Sequence, residues 1–261
     1  MKIKILRLMS LIIIMVSLLL VISCTTVGDL RTEYQSVDLD NAEYVRTEIT
    51  MGAGELKVAG GAGELLEAEF IYNVVQWKPE VDYRISDNRG YLTLKQPSRI
   101  GDVFITNIRY KWNLLLNNEI PMDLDITFGA GNGNLELGSL HLTNLDIIMG
   151  AGNVLINLEG SRSLARFDMI VGAGDANVKL TGDWKNDLDF NIKGGVGEAT
   201  LQLPSDIGVR VDISGGIGKI NAKGMKREGN SYVNDAYSES EVTLSIKIQA
   251  GVGEINLEIV E

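Results

Sequence analysis

The groups with which this 261-residue chain could do chemistry are a repeated glycine pair, one histidine, one cysteine and many carboxylates. The sharpest is Gly150-Ala151-Gly152, in the stretch LDIIMGAGNVLINLEG from Leu145 to Gly160. A glycine loop of this kind could hold a phosphate on its backbone N–H groups. A dinucleotide loop, however, needs G-x-G-x-x-G between a strand and a helix. Here the third glycine is missing and the residues that follow alternate like a strand. The lysine-bearing phosphate loop, G-x-x-x-x-G-K-[ST], does not occur either. No nucleotide and no cofactor is expected.

His141, in GSLHLTNL, is the only histidine, so a Ser-His-Asp triad or a His-ligated metal would have to use it. Its place near a return turn predicts an edge residue. The stretch GAGDANVKL, Gly172 to Leu180, faintly matches the nonapeptide calcium repeat G-G-x-G-x-D-x-U-x. The residue after each second glycine runs Glu55, Asn132, Asn153, Asp175, Glu198, Lys219, Glu254. Calcium wants several oxygen ligands, and Lys219 is the wrong type. A row of solvated turn residues accounts for the column better, with a calcium-stabilised adhesive module as an alternative. With 35 acids, some carboxylates will lie close together by chance, so a glycan-active enzyme is a second alternative. The reading preferred is that the chain is not an enzyme.

What positions these residues is a repeat. LDITFGAGNGNLEL begins at Leu124, LDIIMGAGNVLINL at Leu145, FDMIVGAGDANVKL at Phe167, LDFNIKGGVGEATLQL at Leu188, VRVDISGGIGKINAKG at Val209 and LSIKIQAGVGEINLEI at Leu244. An early copy, VRTEITMGAGELKVAG, begins at Val45. The first glycines of the six later copies fall at 129, 150, 172, 195, 216 and 251. A fixed period in this range marks a stacked repeat architecture. The long last step holds an insertion, Lys226 to Glu239.

Each unit alternates with period two, which is strand-like. Leu244, Ile246 and Ile248 share one face, and Ile255, Leu257 and Ile259 resume shifted by one residue. Such a shift turns every side chain outward unless the chain bends or bulges. A glycine can supply that bend because φ > 0 costs it no Cβ clash. Gly54, Gly131, Gly152, Gly174, Gly197, Gly218 and Gly253 are therefore expected as structural corners.

The expected fold is all-β, a β-solenoid or β-helix-like stack of units of roughly 21–23 residues whose equivalent strands lie about 4.8 Å apart. Leu124, Leu145, Phe167, Leu188 and Val209 should form one ladder. Ala130, Ala151, Ala173, Val196, Ile217 and Val252 should form another, whose growing size implies a core that widens toward the C-terminus. The boundaries expected are 1–23 signal, 24–36 tether, 37–121 N-terminal β cap and 122–261 repeat solenoid. Within the cap, VDYRISDNRGYLTLKQ reads as a hairpin turning at Asp87-Asn88-Arg89-Gly90. The cap would cover an edge that otherwise templates aggregation. Its aromatics plug the end of the core, or stack on sugar rings. The candidate binding surface is Trp77, Tyr83, Tyr110 and Trp112, with Tyr232 and Tyr237 on the insertion.

The N-terminus addresses the protein. Lys2, Lys4 and Arg7 precede an apolar run from Leu8 to Ile22, the layout of a secretory signal. Val21-Ile22-Ser23-Cys24 resembles the lipobox of bacterial lipoproteins, in which the cysteine is diacylated and becomes the first residue. Cys24, the only cysteine, is thereby implied as the lipid attachment site; no intrachain disulfide can form. Thr25 after it favours outer-membrane sorting in a cell with two membranes, again by resemblance. Loss of the signal leaves 21 basic against 35 acidic side chains, a formal charge of −14. That balance opposes nucleic-acid binding, which rests on Lys and Arg neutralising phosphates.

MGAGELKVAGGAGELLEAEFIYN, WKPEVDY and GGVGEATLQLPSDIGVRVDISGGIGKINAKG resemble the toast-rack family of bacterial envelope proteins. That family is related to putative-adhesin solenoid domains and to the C-terminal part of cell-wall-active antibiotic response proteins. The resemblance spans about Glu33 to Glu261. It implies an all-β stacked fold on an envelope protein and supplies no catalytic residues. Partners expected are the membrane, through the lipid, and an envelope protein or a cell-wall or surface glycan. A link to envelope stress is a further expectation.

Overall fold

Fourteen strands form one hydrogen-bonded sheet in a computed structural model that describes residues 27–97, 107–161 and 163–260. The signal segment and Cys24 lie outside the described residues. The strands are β1 (Arg31–Val37), β2 (Tyr44–Ala62), β3 (Leu66–Tyr72), β4 (Glu80–Ser86), β5 (Arg89–Lys95), β6 (Tyr110–Asn117) and β7 (Met122–Glu136). They continue as β8 (Leu142–Asn157), β9 (Arg166–Lys179), β10 (Leu188–Pro204), β11 (Gly208–Lys223), β12 (Lys226–Glu228), β13 (Ser231–Val233) and β14 (Thr243–Val260).

Each long strand is one rung made of two limbs. In β8, Leu145, Ile147 and Met149 are buried before the corner, and Val154 and Ile156 after it. The buried parity changes at Gly152, where φ is +119°. The extra half-step in side-chain alternation is what lets both limbs face the same core. Residues from both limbs of the rungs join a single hydrophobic cluster. Buried Leu137, Leu158 and Leu180 follow the second limbs and donate backbone N–H groups to the carbonyls of Asn157, Lys179 and Gln202 in the next rung, at 2.8, 2.9 and 2.8 Å.

The repeat spacing is thus realised as stacked parallel strands, but four expectations change. First, the early copy is a full rung. β2 pairs with β7 in parallel register, Gly54 opposite Gly131. The stack therefore starts inside the segment expected as cap, and residues 63–121 are an excursion below it. The two limbs of β2 are continued separately: the first by β5 and the β4–β5 hairpin, the second by β6, β3 and β1. Asp87 and Asn88, with φ of +52° and +60°, form the predicted hairpin turn. β1 occupies part of the expected tether.

Second, chain order is not rung order. β14 lies between β10 and β11, with Gly253 opposite both Gly197 and Gly218. The insertion after β11 gives the chain length to return one rung inward. Of its two strands, β13 adds antiparallel to the outer side of β11, and β12 antiparallel to β13.

Third, the ladder that starts Leu124, Leu145, Phe167 continues through a different residue than expected. Phe167 pairs with Phe190, not Leu188, and Phe190 with Ile246. The register is set by the stacked glycines, so equivalent positions are counted from the corner and not from the first apolar residue.

Fourth, the small-residue ladder is real but faces outward. Ala53, Ala130, Ala151, Ala173 and Val196 are successive partners, Val252 follows, and Ile217 ends the row. Val196, Val252 and Ile217 are 59%, 53% and 78% exposed. They cannot widen the core. Neighbouring corners come so close that side chains there must point away from it.

Six of the seven predicted corner glycines have φ between +119° and +154°. Gly218 differs: the left-handed residues of β11 are Gly215 and Gly216. Gly218 is required by proximity instead, since a Cβ there would stand 1.6 Å from the Gly253 carbonyl oxygen. At the first rung no earlier corner supplies acceptors. The buried Gln96 side chain takes that place, accepting from the N–H groups of Gly52 and Ala53 at 2.7 and 3.2 Å.

Candidate functional site

The aromatic residues picked out for binding are mostly consumed by packing. Trp112 is fully buried and Tyr110 nearly so, which corrects their placement on a surface. Trp112 stands edge-on to Phe70 at 5.3 Å, and Tyr110 edge-on to Trp77 at 5.7 Å. The Tyr110 hydroxyl donates to the Trp77 carbonyl at 2.7 Å, and burial pushes its pKa far above the ordinary phenol value. Trp77 and Tyr83 are half-buried, and Tyr83 donates to the Leu39 carbonyl. On the insertion, Tyr232 and Tyr237 are half-buried beneath the guanidinium groups of Arg227 and Arg210. The six residues lie at opposite ends of the stack and form no common surface.

The glycine pairs are not a ligand loop. A Cβ on Gly150 would meet the Gly129 carbonyl oxygen at 2.4 Å, and one on Gly152 the Gly131 oxygen at 1.9 Å. Backbone from the neighbouring rung fills the place a phosphate would need. His141 is half-buried, and its Nδ1 lies 3.2 Å from the Glu119 carbonyl oxygen in a return turn.

Besides a cleft of about 500 Å³ beside the first corner, lined by Gly54, Trp77 and Tyr110, two features are open on the outside. One is the polar column after the corner. Glu55, Asn132, Asn153 and Asp175 stack in register, and Glu198, Glu254 and Lys219 continue the row. The parallel row two residues on holds Asn134, Leu155, Asn177, Thr200, Asn256 and Asn221. Between the rows runs a groove of about 370 Å³. Its C-terminal part is cross-linked. Asn256 Nδ2 donates to Glu198 at 2.7 Å, and Asn221 Nδ2 donates to Glu254 at 2.5 Å and to the Asn256 Oδ1 at 2.6 Å. Among the described residues, no three His, Cys, Asp or Glu side chains gather as a metal site. Parallel in-register stacking explains the groove: it repeats one amide or carboxylate per rung, about 4.8 Å apart.

The other feature is apolar and was not legible from the repeat alone. Just before the corner, the inward column runs Met51, Phe128, Met149, Val171 and Gly194, then Ala250 and Gly215 in the last two rungs. The first four are buried. The last three are too small to fill the bend. A cavity of about 80 Å³ opens there, walled by Ile192, Ile248, Ile213 and Ile255.

Residues 26–165 and 161–202 match the family model described as the N-terminal domain of toast_rack. A solved structure of a putative cell adhesion protein from Clostridium sporogenes ATCC 15579 is 32% identical, with a TM-score of 0.68. The match covers 89% of this chain and 100% of that one. A putative adhesin from Bacteroides fragilis NCTC 9343 is 14% identical, covers 88% of this chain and 97% of that one, and has a TM-score of 0.42. No curated protein matches.

Proposed function

The chain belongs to the toast-rack family, and from that premise we propose that it is a non-enzymatic adhesion or interaction module of the cell envelope. The observation that carries this reading is the 32% identity, over 89% of the chain, to a protein described as a putative cell adhesion protein. The geometry supports it. The rungs spend their glycines on backbone packing and display one polar side chain per rung along a groove. Repetition of that kind suits a repetitive partner such as a cell-wall or surface glycan, or the edge of an envelope protein. The acidic body is held at the membrane by lipid on Cys24 and faces outside the cytoplasm. Among the described residues, no helix is long and apolar enough to cross a membrane.

The test has two arms. Chain from Thr25 onward, coupled to beads, is offered purified cell-wall glycan and solubilised envelope proteins. Asn132→Arg with Asn153→Arg, which crowds the groove, should lower retention with the melting temperature unchanged. Equal retention by the variant, or none by the parent, would refute the groove as the contact surface. In cells, Cys24→Ala should abolish acyl labelling and release the protein; persistent labelling refutes the anchor.

A further inference from the structure

We propose that the apolar corner at the C-terminal end of the stack is a binding site for a single aliphatic chain, the hydrocarbon tail of an amphiphile whose head stays at the rim. This site adjoins the C-terminal end of the polar groove, shares Glu198 with it, and does not depend on the adhesive reading.

The cavity is shaped by a change in one column. Met51, Phe128, Met149 and Val171 fill the bend of the first four rungs. Gly194, Ala250 and Gly215 leave it empty in the last three. Three rungs at about 4.8 Å give the bend a length of roughly 10 Å, and its volume of about 80 Å³ encloses about three or four carbons at the tip of a chain. Such a space accepts an unbranched chain and excludes a ring. Ile192, Ile213, Ile248 and Ile255 line the inner wall, an apolar surface suited to hydrocarbon.

The channel opens at the last rung. β13 covers β11 only from Arg210 to Asp212. Beyond that point Ile220 is 40% exposed, and Ile217, the most exposed of the large apolar residues flanking the mouth, is 78% exposed. Glu198, Lys219 and Glu254 lie at the rim, so both signs of charge meet a head group there. At the opposite end of the stack the two limbs of β2 are continued by the β4–β5 hairpin and by β6, β3 and β1, and Met51 fills the bend.

Gly194 separates this corner from a mere consequence of glycine stacking. A Cβ on its neighbour Gly195 would stand 2.0 Å from the Gly172 carbonyl oxygen. A Cβ on Gly194 would meet nothing within 4 Å, and its φ is not in the left-handed range. Neither conformation nor contact demands glycine at that position. What the missing side chain leaves is room.

The experiment is displacement of N-undecyl dansylamide, an undecyl tail with its fluorophore at the head, from the chain beginning at Thr25, which contains every described strand and the whole core. Competitors are the saturated carboxylates from acetate to octanoate, the matching alcohols, and a short-chain phosphatidylcholine. Affinity should rise about fourfold per added methylene, then level off once the channel is full. Alcohols should follow the same slope. Competition by the phosphatidylcholine as well as the carboxylates assigns a membrane acyl chain; competition by carboxylates alone assigns a free fatty acid. Gly194→Val should weaken binding by about tenfold or more by filling the channel, with an equal or higher melting temperature. Should that variant fail to fold, Ala250→Val fills the same channel from the next rung and carries the same expectation. Absence of displacement, affinity indifferent to chain length, or unchanged binding by a folded channel-filling variant would each overturn the proposal.

Discussion

The rings of Phe167 and Phe190 lie parallel within 3°, their centroids 4.0 Å apart. They are direct partners on β9 and β10, and both are fully buried. The stack joins the early rungs to the three C-terminal rungs at the middle of the core. Phe190→Ala should lose about 3–5 kcal/mol, the usual cost of deleting a buried phenyl ring. Equilibrium denaturation checks this, and a loss below about 1 kcal/mol would show the rungs to be coupled elsewhere.

Gly174 combines both demands on a corner residue. Its φ is +129°, and a Cβ would stand 1.8 Å from the Gly152 carbonyl oxygen. Gly174→Val should destabilise by well over about 1 kcal/mol, because strain and backbone collision add. Gly61 is the matched control. It also has a positive φ, +110°, but a Cβ would meet nothing within 4 Å. Gly61→Val should cost clearly less in the same thermal melt, and equal losses would mean that φ alone accounts for the corner.

Thr47 is completely buried beside Leu124 in the first rung, and its hydroxyl has no hydrogen-bond partner. Thr47→Val keeps the shape and removes the stranded polar atom. It should stabilise the protein by about 1 kcal/mol. A lower melting temperature would show that the hydroxyl does find a partner in solution.

Asp146 sits between Asp125 and Asp168 on adjacent strands. Partial burial first, then these two carboxylates, raises its pKa, although Arg166 and Arg46 oppose the shift. The folded state therefore holds the Asp146 proton more tightly than the unfolded chain does. Its ionisation costs stability at neutral pH, and that cost is relieved as pH falls through the raised folded value toward the unfolded one. Because Asp146 is exposed, the effect should be only a few tenths of a kcal/mol. Asp146→Asn should raise the melting temperature slightly at pH 7 and not at about pH 3. An equal gain at both values would point to side-chain hydrogen bonding instead.

Much of the rung is legible in the sequence. Alternation, the parity change and the glycine pair are local, and they require a bent strand at every copy. The binding residues were less legible. An aromatic such as Trp112 carries the same letter whether it plugs a core or faces a glycan, and only its partners Phe70 and Tyr110 settle which. Gln96, which caps the first corner, has no sequence signal at all, because it lies 44 residues from the N–H group it serves at Gly52.

The sequence by itself determined the unit: two limbs, a glycine corner and one polar residue after it, set by side-chain parity and the steric freedom of glycine. Only the tertiary structure decided how the units are ordered. Any two rungs can match glycine to glycine, so local pattern does not forbid β14 from stepping between β10 and β11. The length of the insertion and the packing of the whole core choose that order. The C-terminal cavity likewise belongs to the assembled stack, since Gly194, Ala250 and Gly215 leave one shared space only when their three strands lie side by side.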